Sequence, residues 1–123
     1  MILVDASVWI HHLRYTDERL TALLNGGDVL GHPFVLGELA LGSLRRRESF
    51  LNDMRELPQA TVAMDDEVLQ LISRQPLFAR GIGYIDAHLL AAVRLTPDAK
   101  LWTRDGRLRT VAAELGLAAM LPH

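Results

Sequence analysis

Five short apolar stretches punctuate the chain, at residues 2–4, 29–30, 61–63, 101–102 and 118–121, and read as buried strands. Between them the apolar positions recur at helical spacing. Residues 7–14 and 19–24 fill the first connection, with Asp17 and Glu18 where a helix start favours acids and Asn25-Gly26-Gly27 as the stop. Pro33 opens a helix expected to run to about residue 44, and a further one spans 48–57 before Pro58. Asp65-Asp66-Glu67 begins another, 84–94 reads as a long buried helix closed by Thr96-Pro97-Asp98, and Leu108, Val111, Ala112 and Leu115 give the last helix an apolar face that Gly116 ends. Strands alternating with helices predict an α/β fold, its central parallel sheet of about five strands covered on both faces and joined by right-handed crossovers. In such sheets ligands bind beyond the carboxyl ends of the strands, where strand order reverses. If strands one and four are neighbours there, Asp5 and Asp105 meet across the crevice.

The 123 residues fit one domain, read as 1–123, and half of them are apolar, enough for one shared core. There is no run approaching a spanning helix, and Asp5 interrupts the N-terminal stretch too early for a signal peptide, so a soluble cytoplasmic protein with no membrane partner is expected. Absence of cysteine excludes disulfides, zinc-thiolate sites and thiol nucleophiles. The net charge of -2, taken alone, disfavours nucleic acid. With four acids set aside around cations, however, 11 remain against 13 basic residues, and every basic residue but Lys100 is an arginine, whose planar fork suits phosphate.

Most acids stand at helix starts or in turns, where solvation explains them. Four instead interrupt apolar sequence: Asp5 after Ile-Leu-Val, Glu38 within Phe-Val-Leu-Gly-Glu-Leu-Ala-Leu, Asp86 before Ala-His-Leu-Leu-Ala-Ala, and Asp105 after Leu-Trp-Thr-Arg. Burial of any one alone is costly; an ion pair, a helix cap or a shared metal would each relieve it, and Asp86 in particular is placed to cap its helix. Crowded together, carboxylates raise one another's pKa values and call for cations, which Mg2+ or Mn2+ would supply. An open acidic crevice of this kind suits phosphodiester hydrolysis. Other chemistries lack their residues: strand one leads into Asp-Ala-Ser-Val-Trp, with neither a glycine-rich turn nor the second acid of an aspartate-based phosphatase, and the only lysine precedes strand four rather than following strand five as in receiver domains.

Val-Asp-Ala-Ser-Val-Trp-Ile at 4–10, Glu38 in its helix, Ile-Asp-Ala-His-Leu-Leu-Ala-Ala at 85–92 and Thr-Arg-Asp at 103–105 together resemble the VapC-type PIN-domain toxins, over essentially the whole chain. The resemblance implies a PIN-like three-layer sandwich with strand order 3-2-1-4-5. It also implies a Mg2+ or Mn2+ site from Asp5, Glu38, Asp86 and Asp105, and endonucleolytic cleavage of RNA leaving a 5'-phosphate. Ser7 and Thr103 match the family's small hydroxyl positions, where they would orient a carboxylate or a phosphate; a turn or cap role suits them equally. The implied partners are RNA, a VapB-type antitoxin protein, a second copy of the chain in a homodimer, and the toxin-antitoxin hetero-oligomer. A non-catalytic RNA-binding or regulatory module is the alternative. His11, His12 and His88 read as packing or surface, Arg45-Arg46-Arg47 as a solvated helix junction, Trp9 as core, and Met54, Met64 and Met120 as gap fillers.

Overall fold

The computed structural model describes residues 1–121. Its sheet is parallel and three-stranded: β1 (Ile2–Val4) lies in the middle, with β2 (Val29–Leu30) on one side and β3 (Lys100–Trp102) on the other. Consecutive strand residues point to opposite faces, and Leu3 and Val4 are both wholly buried, as nearly are Val29 and Leu30 and then Leu101 and Trp102. Helices therefore cover both sides. They are α1 (Ala6–Tyr15) and α2 (Glu18–Asn25) between β1 and β2, then α3 (Pro33–Ala40), α4 (Arg47–Glu56), α5 (Asp65–Arg74) and α6 (Tyr84–Leu95) between β2 and β3, and finally α7 (Gly106–Glu114). The central α6 buries every residue from Ala87 to Val93, which accounts for its apolar sequence.

The outer strands expected at 61–63 and 118–121 do not form: only single bridges stand at the edges, Gly31 with Gln59 just ahead of the first and Leu101 with Ala118 in the second, so the sheet has three strands rather than five. Backbone donors explain the first loss. Pro58 has no N–H to give, and the Thr61 N–H goes to the Thr96 hydroxyl at 2.9 Å instead of to a ladder. On the other edge Leu101 donates to Leu117 and Ala119 donates back to Leu101, one closed pair and no more among the described residues. The helix from Pro33 also stops short, at Ala40 instead of about 44, because the N–H groups of Leu41 and Gly42 turn to carbonyls three residues back, on Glu38 and Leu39.

Helix α7 ends as the sequence predicts. Gly116 adopts φ +72, its N–H bonds Ala113 O and that of Leu117 bonds Ala112 O, the paired closure that needs a left-handed residue. Of the methionines read as gap fillers only Met54 is buried; Met64 and Met120 are exposed. Trp9 is core, packed edge-on to Phe50 at 6.0 Å and His12 at 6.1 Å.

Candidate active site

Because β2 and β3 flank β1, the strand order reverses at β1, and the chain leaves β1 and β3 side by side. The Asp5 N–H donates to Trp102 O at 2.9 Å, which sets Asp5 directly beside Thr103. Both residues are buried. One oxygen of Asp5, Oδ2, accepts from the Thr103 hydroxyl at 2.7 Å and from the Ser7 hydroxyl at 2.9 Å. These hydroxyls are themselves engaged as acceptors: Ser7 Oγ receives the Arg104 N–H at 3.0 Å and Thr103 Oγ1 the Asp105 N–H at 3.1 Å. Each hydroxyl proton is thereby directed at the carboxylate, so Asp5 is held in one rotamer. The sequence leaves Ser7 and Thr103 open between orienting a carboxylate or phosphate and closing a turn or cap; here both hydroxyls reach the Asp5 carboxylate, and Thr103 also closes a turn to Asp105.

Asp86 and Asp105 each serve the start of a helix. Asp86 Oδ2 accepts from the Gly83 N–H at 3.0 Å in the first turn of α6, and Asp105 Oδ1 caps α7 by accepting from Arg107 N at 2.9 Å and Leu108 N at 3.2 Å. Glu38 projects from the last turn of α3. Burial raises the pKa of Glu38, and Asp5 and Asp86 raise it further; burial likewise raises that of Asp86 against the Gly83 hydrogen bond, with Asp5 and Asp105 adding to it. The charges of Asp5 and Asp86 thus act on Glu38, and those of Asp5 and Asp105 on Asp86. The acids are not equally enclosed, although all four have apolar neighbours in sequence: Asp5 is buried, Asp86 half-buried, and Glu38 and Asp105 exposed at the rim.

The donor set fits a hard divalent cation in kind. Asp5, Asp86 and Asp105 each commit one oxygen to protein donors and keep the other without a hydrogen bond among the described residues. In spacing it is open, since no group of three or more acids or histidines among the described residues stands ready-made around one ion. Magnesium, which retains several waters and takes few carboxylates directly, requires no closed cage.

The histidines lie elsewhere. His12 Nδ1 accepts from the Asp17 N–H at 2.9 Å, and His11 tilts against Tyr15. His88 is buried, with its Nε2 3.0 Å from Asp65 Oδ1, a pairing that its apolar helix does not suggest. In the basic run, Arg46 starts α4 in a left-handed conformation and Arg47 donates back to Ala40 O, consistent with a helix junction.

Beside Glu38 opens a groove of about 600 Å3, walled by Ile10, Leu13, Leu39 and Phe50 with Arg14 and Arg45 at its edge. No described helix is long and apolar enough to cross a membrane.

Against known proteins, the PIN domain family model matches residues 2–114. Two relatives, each named Ribonuclease VapC32, from Mycobacterium tuberculosis strains CDC 1551 / Oshkosh and ATCC 25618 / H37Rv, are 50% identical over 118 residues. That alignment covers 96% of this chain and 95% of each relative.

Proposed function

The chain belongs to the PIN-domain family and resembles VapC-type ribonucleases, and from that premise we propose that it is a metal-dependent endoribonuclease, the toxin of a toxin-antitoxin pair. The observation that carries the reading is the Asp5 carboxylate, fixed through one oxygen by two hydroxyls from opposite ends of the chain while its charge acts on both Glu38 and Asp86. Two buried or half-buried carboxylates and two at the rim make a poor structural element and a good cation site. Asp5 and Asp86 would be the principal ligands of Mg2+ or Mn2+, with Glu38 and Asp105 completing the set directly or through water. Bound there, the ion would acidify the attacking water and balance charge on the leaving oxygen.

The protein's own share is orientation and proton handling. Ser7 and Thr103 keep Asp5 from rotating, and the caps made by Asp86 and Asp105 aim their free oxygens. Glu38, exposed at the rim, is the acid best placed to accept a proton from water held there. Arg104 and Arg107 flank Asp105 with exposed side chains, placed to meet phosphates of an RNA strand.

A VapB-type antitoxin is the proposed protein partner, and the apolar groove beside Glu38 suits a helix from it whose basic end reaches the acids. Homodimerisation, a single domain over 1–123 and a cytoplasmic location belong to the same proposal, as does a five-stranded order 3-2-1-4-5 with the two edge bridges as its rudiments. The open spacing of the acids is the one feature favouring the non-catalytic alternative.

Purified protein incubated with RNA and Mn2+, and separately with chelator, separates the two. Asp5→Asn is expected to lower cleavage on the order of a hundredfold or more with an unchanged circular dichroism spectrum. Near wild-type cleavage by that variant removes Asp5 from the site.

A further inference from the structure

Behind the crevice meet side chains that the chemistry above does not use. Asp65, the first residue of α5, accepts from the Tyr84 hydroxyl at 2.6 Å and pairs with His88 Nε2 at 3.0 Å. Tyr84 opens α6 and His88 stands one turn further on, with Asp86 between them. The Tyr84 and His88 partners hold the Asp65 carboxyl below its ordinary range, so it is ionised at neutral pH and only accepts; the proton in the pair is therefore on His88 Nε2.

The His88 ring is 2% exposed. It packs edge-on against Tyr84 at 4.8 Å and against Phe34, on α3, at 4.6 Å. Its other nitrogen, Nδ1, is buried and without a partner among the described residues. Across Phe34 lies the chemical complement. His32 Nδ1 accepts from the Phe34 N–H at 3.0 Å, so the neutral ring carries its proton on Nε2, which is likewise buried and unpartnered among the described residues. A donor from the start of α3 and an acceptor from α6 thus flank one phenyl ring.

A pairing whose acid is 77% exposed contributes little to stability. Its consequence is geometric. The same imidazole is tied to α5 on one edge and wedged against α3 on the other, and α3 carries Glu38 while the turn holding His88 carries Asp86.

We infer that His88, held by Asp65, is a positioning residue for the acidic crevice, fixing the first turn of α6 with Asp86 against α3 with Glu38. The inference rests on the cation reading of those acids. Residues that orient metal ligands from behind typically cost roughly 10–100-fold in affinity when removed. The effect is thus visible in binding alone, without turnover.

The test is a titration of the full chain with Mn2+ alone, followed by electron paramagnetic resonance, with melting temperature measured on each variant. His88→Phe, which keeps the volume and loses the donor, is expected to weaken Mn2+ binding about tenfold or more. His88→Gln places an amide donor near the Nε2 position and restores most of it. Asp65→Ala, an exposed change that spares the core, reproduces the weakened binding, while Asp65→Asn, which still accepts, stays near wild type. Wild-type Mn2+ affinity in Asp65→Ala and in folded His88→Phe overturns the positioning role while leaving the cation reading intact. No Mn2+ binding by the wild-type chain overturns the cation reading and this inference with it.

Discussion

At the scale of single residues, the site is a set of carboxylates in tension with one another. Because the folded-state pKa values of Glu38 and Asp86 are raised, the folded protein binds more protons than the unfolded chain as pH falls through their range. Stability from these groups is therefore lost as pH rises, and at pH 7 their charge is a burden unless a cation is present. Glu38→Gln and Asp86→Asn should each raise the melting temperature of the metal-free protein by on the order of a few degrees, and lose that advantage when Mn2+ saturates the wild type. Differential scanning calorimetry with and without the ion reads both halves; equal or lower melting temperatures in chelator would count against a crowded cluster. His32 behaves oppositely. Burial and the neighbouring His88 lower its pKa from 6.5 to about 4, so the unfolded chain takes up its proton first and stability falls as pH drops through 6.5 toward 4. The loss reaches roughly 3–4 kcal/mol by linkage, since each tenfold change in proton affinity between the folded and unfolded chain is worth about 1.4 kcal/mol. His32→Asn keeps an acceptor at the start of α3 and cannot titrate, so its urea-unfolding free energy should vary less between about pH 5 and 6.5 than that of the wild type.

At the scale of elements, helix ends do much of the placing. Asp5 precedes α1, Asp86 lies in the first turn of α6 and Asp105 caps α7, so three helix N-termini point their partial positive charge at the acids. Capping and cation binding are separable at Asp105. Asp105→Ala should cost about 1 kcal/mol of folding free energy through the lost cap, whereas Asp105→Asn retains the cap and sheds the charge. Chemical denaturation should therefore separate the two variants while Mn2+ titration shows both weakened; wild-type Mn2+ affinity in Asp105→Asn would reduce Asp105 to a cap. The four acids are legible in the sequence because each breaks an apolar stretch beside a strand end or within a buried helix. Their unequal exposure is not, since the same apolar neighbours surround Asp5 at the sheet and Glu38 at the rim. The edge strands are obscured for a similar reason. Apolar composition marks residues 61–63 as strand-like, but pairing is decided by where the Thr61 N–H goes, and the Thr96 hydroxyl that takes it is 35 residues away. The tie made by His88 is equally silent, because nothing in Asp-Ala-His-Leu-Leu announces a partner at Asp65.

At the scale of the molecule, the groove walled by Ile10, Leu13, Leu39 and Phe50 runs up to Glu38, joining an apolar surface to an acidic one. A partner helix seated there should bury its apolar face in the groove and bring an arginine or lysine among Asp5, Glu38, Asp86 and Asp105. Such a tail and a divalent ion would compete, and linkage requires each to weaken the other by the same factor. Calorimetric titration of an antitoxin tail into the chain at constant ionic strength, with and without saturating Mn2+, is expected to show the weaker affinity with the ion. Equal affinities, with the ion shown to be bound, would mean that the tail acts from elsewhere.

The hydrogen bond from Thr103 to Asp5 spans 98 residues, and its consequence is one of timing. A growing chain carries Asp5 first, but the β3 strand that braces it, and the Asp105 cap, follow only about a hundred residues later. Long-range pairing of this kind forms only after the intervening loop has been closed. The nascent chain therefore carries its first acid unbraced, and its acids apart, until residues 100–105 have been added.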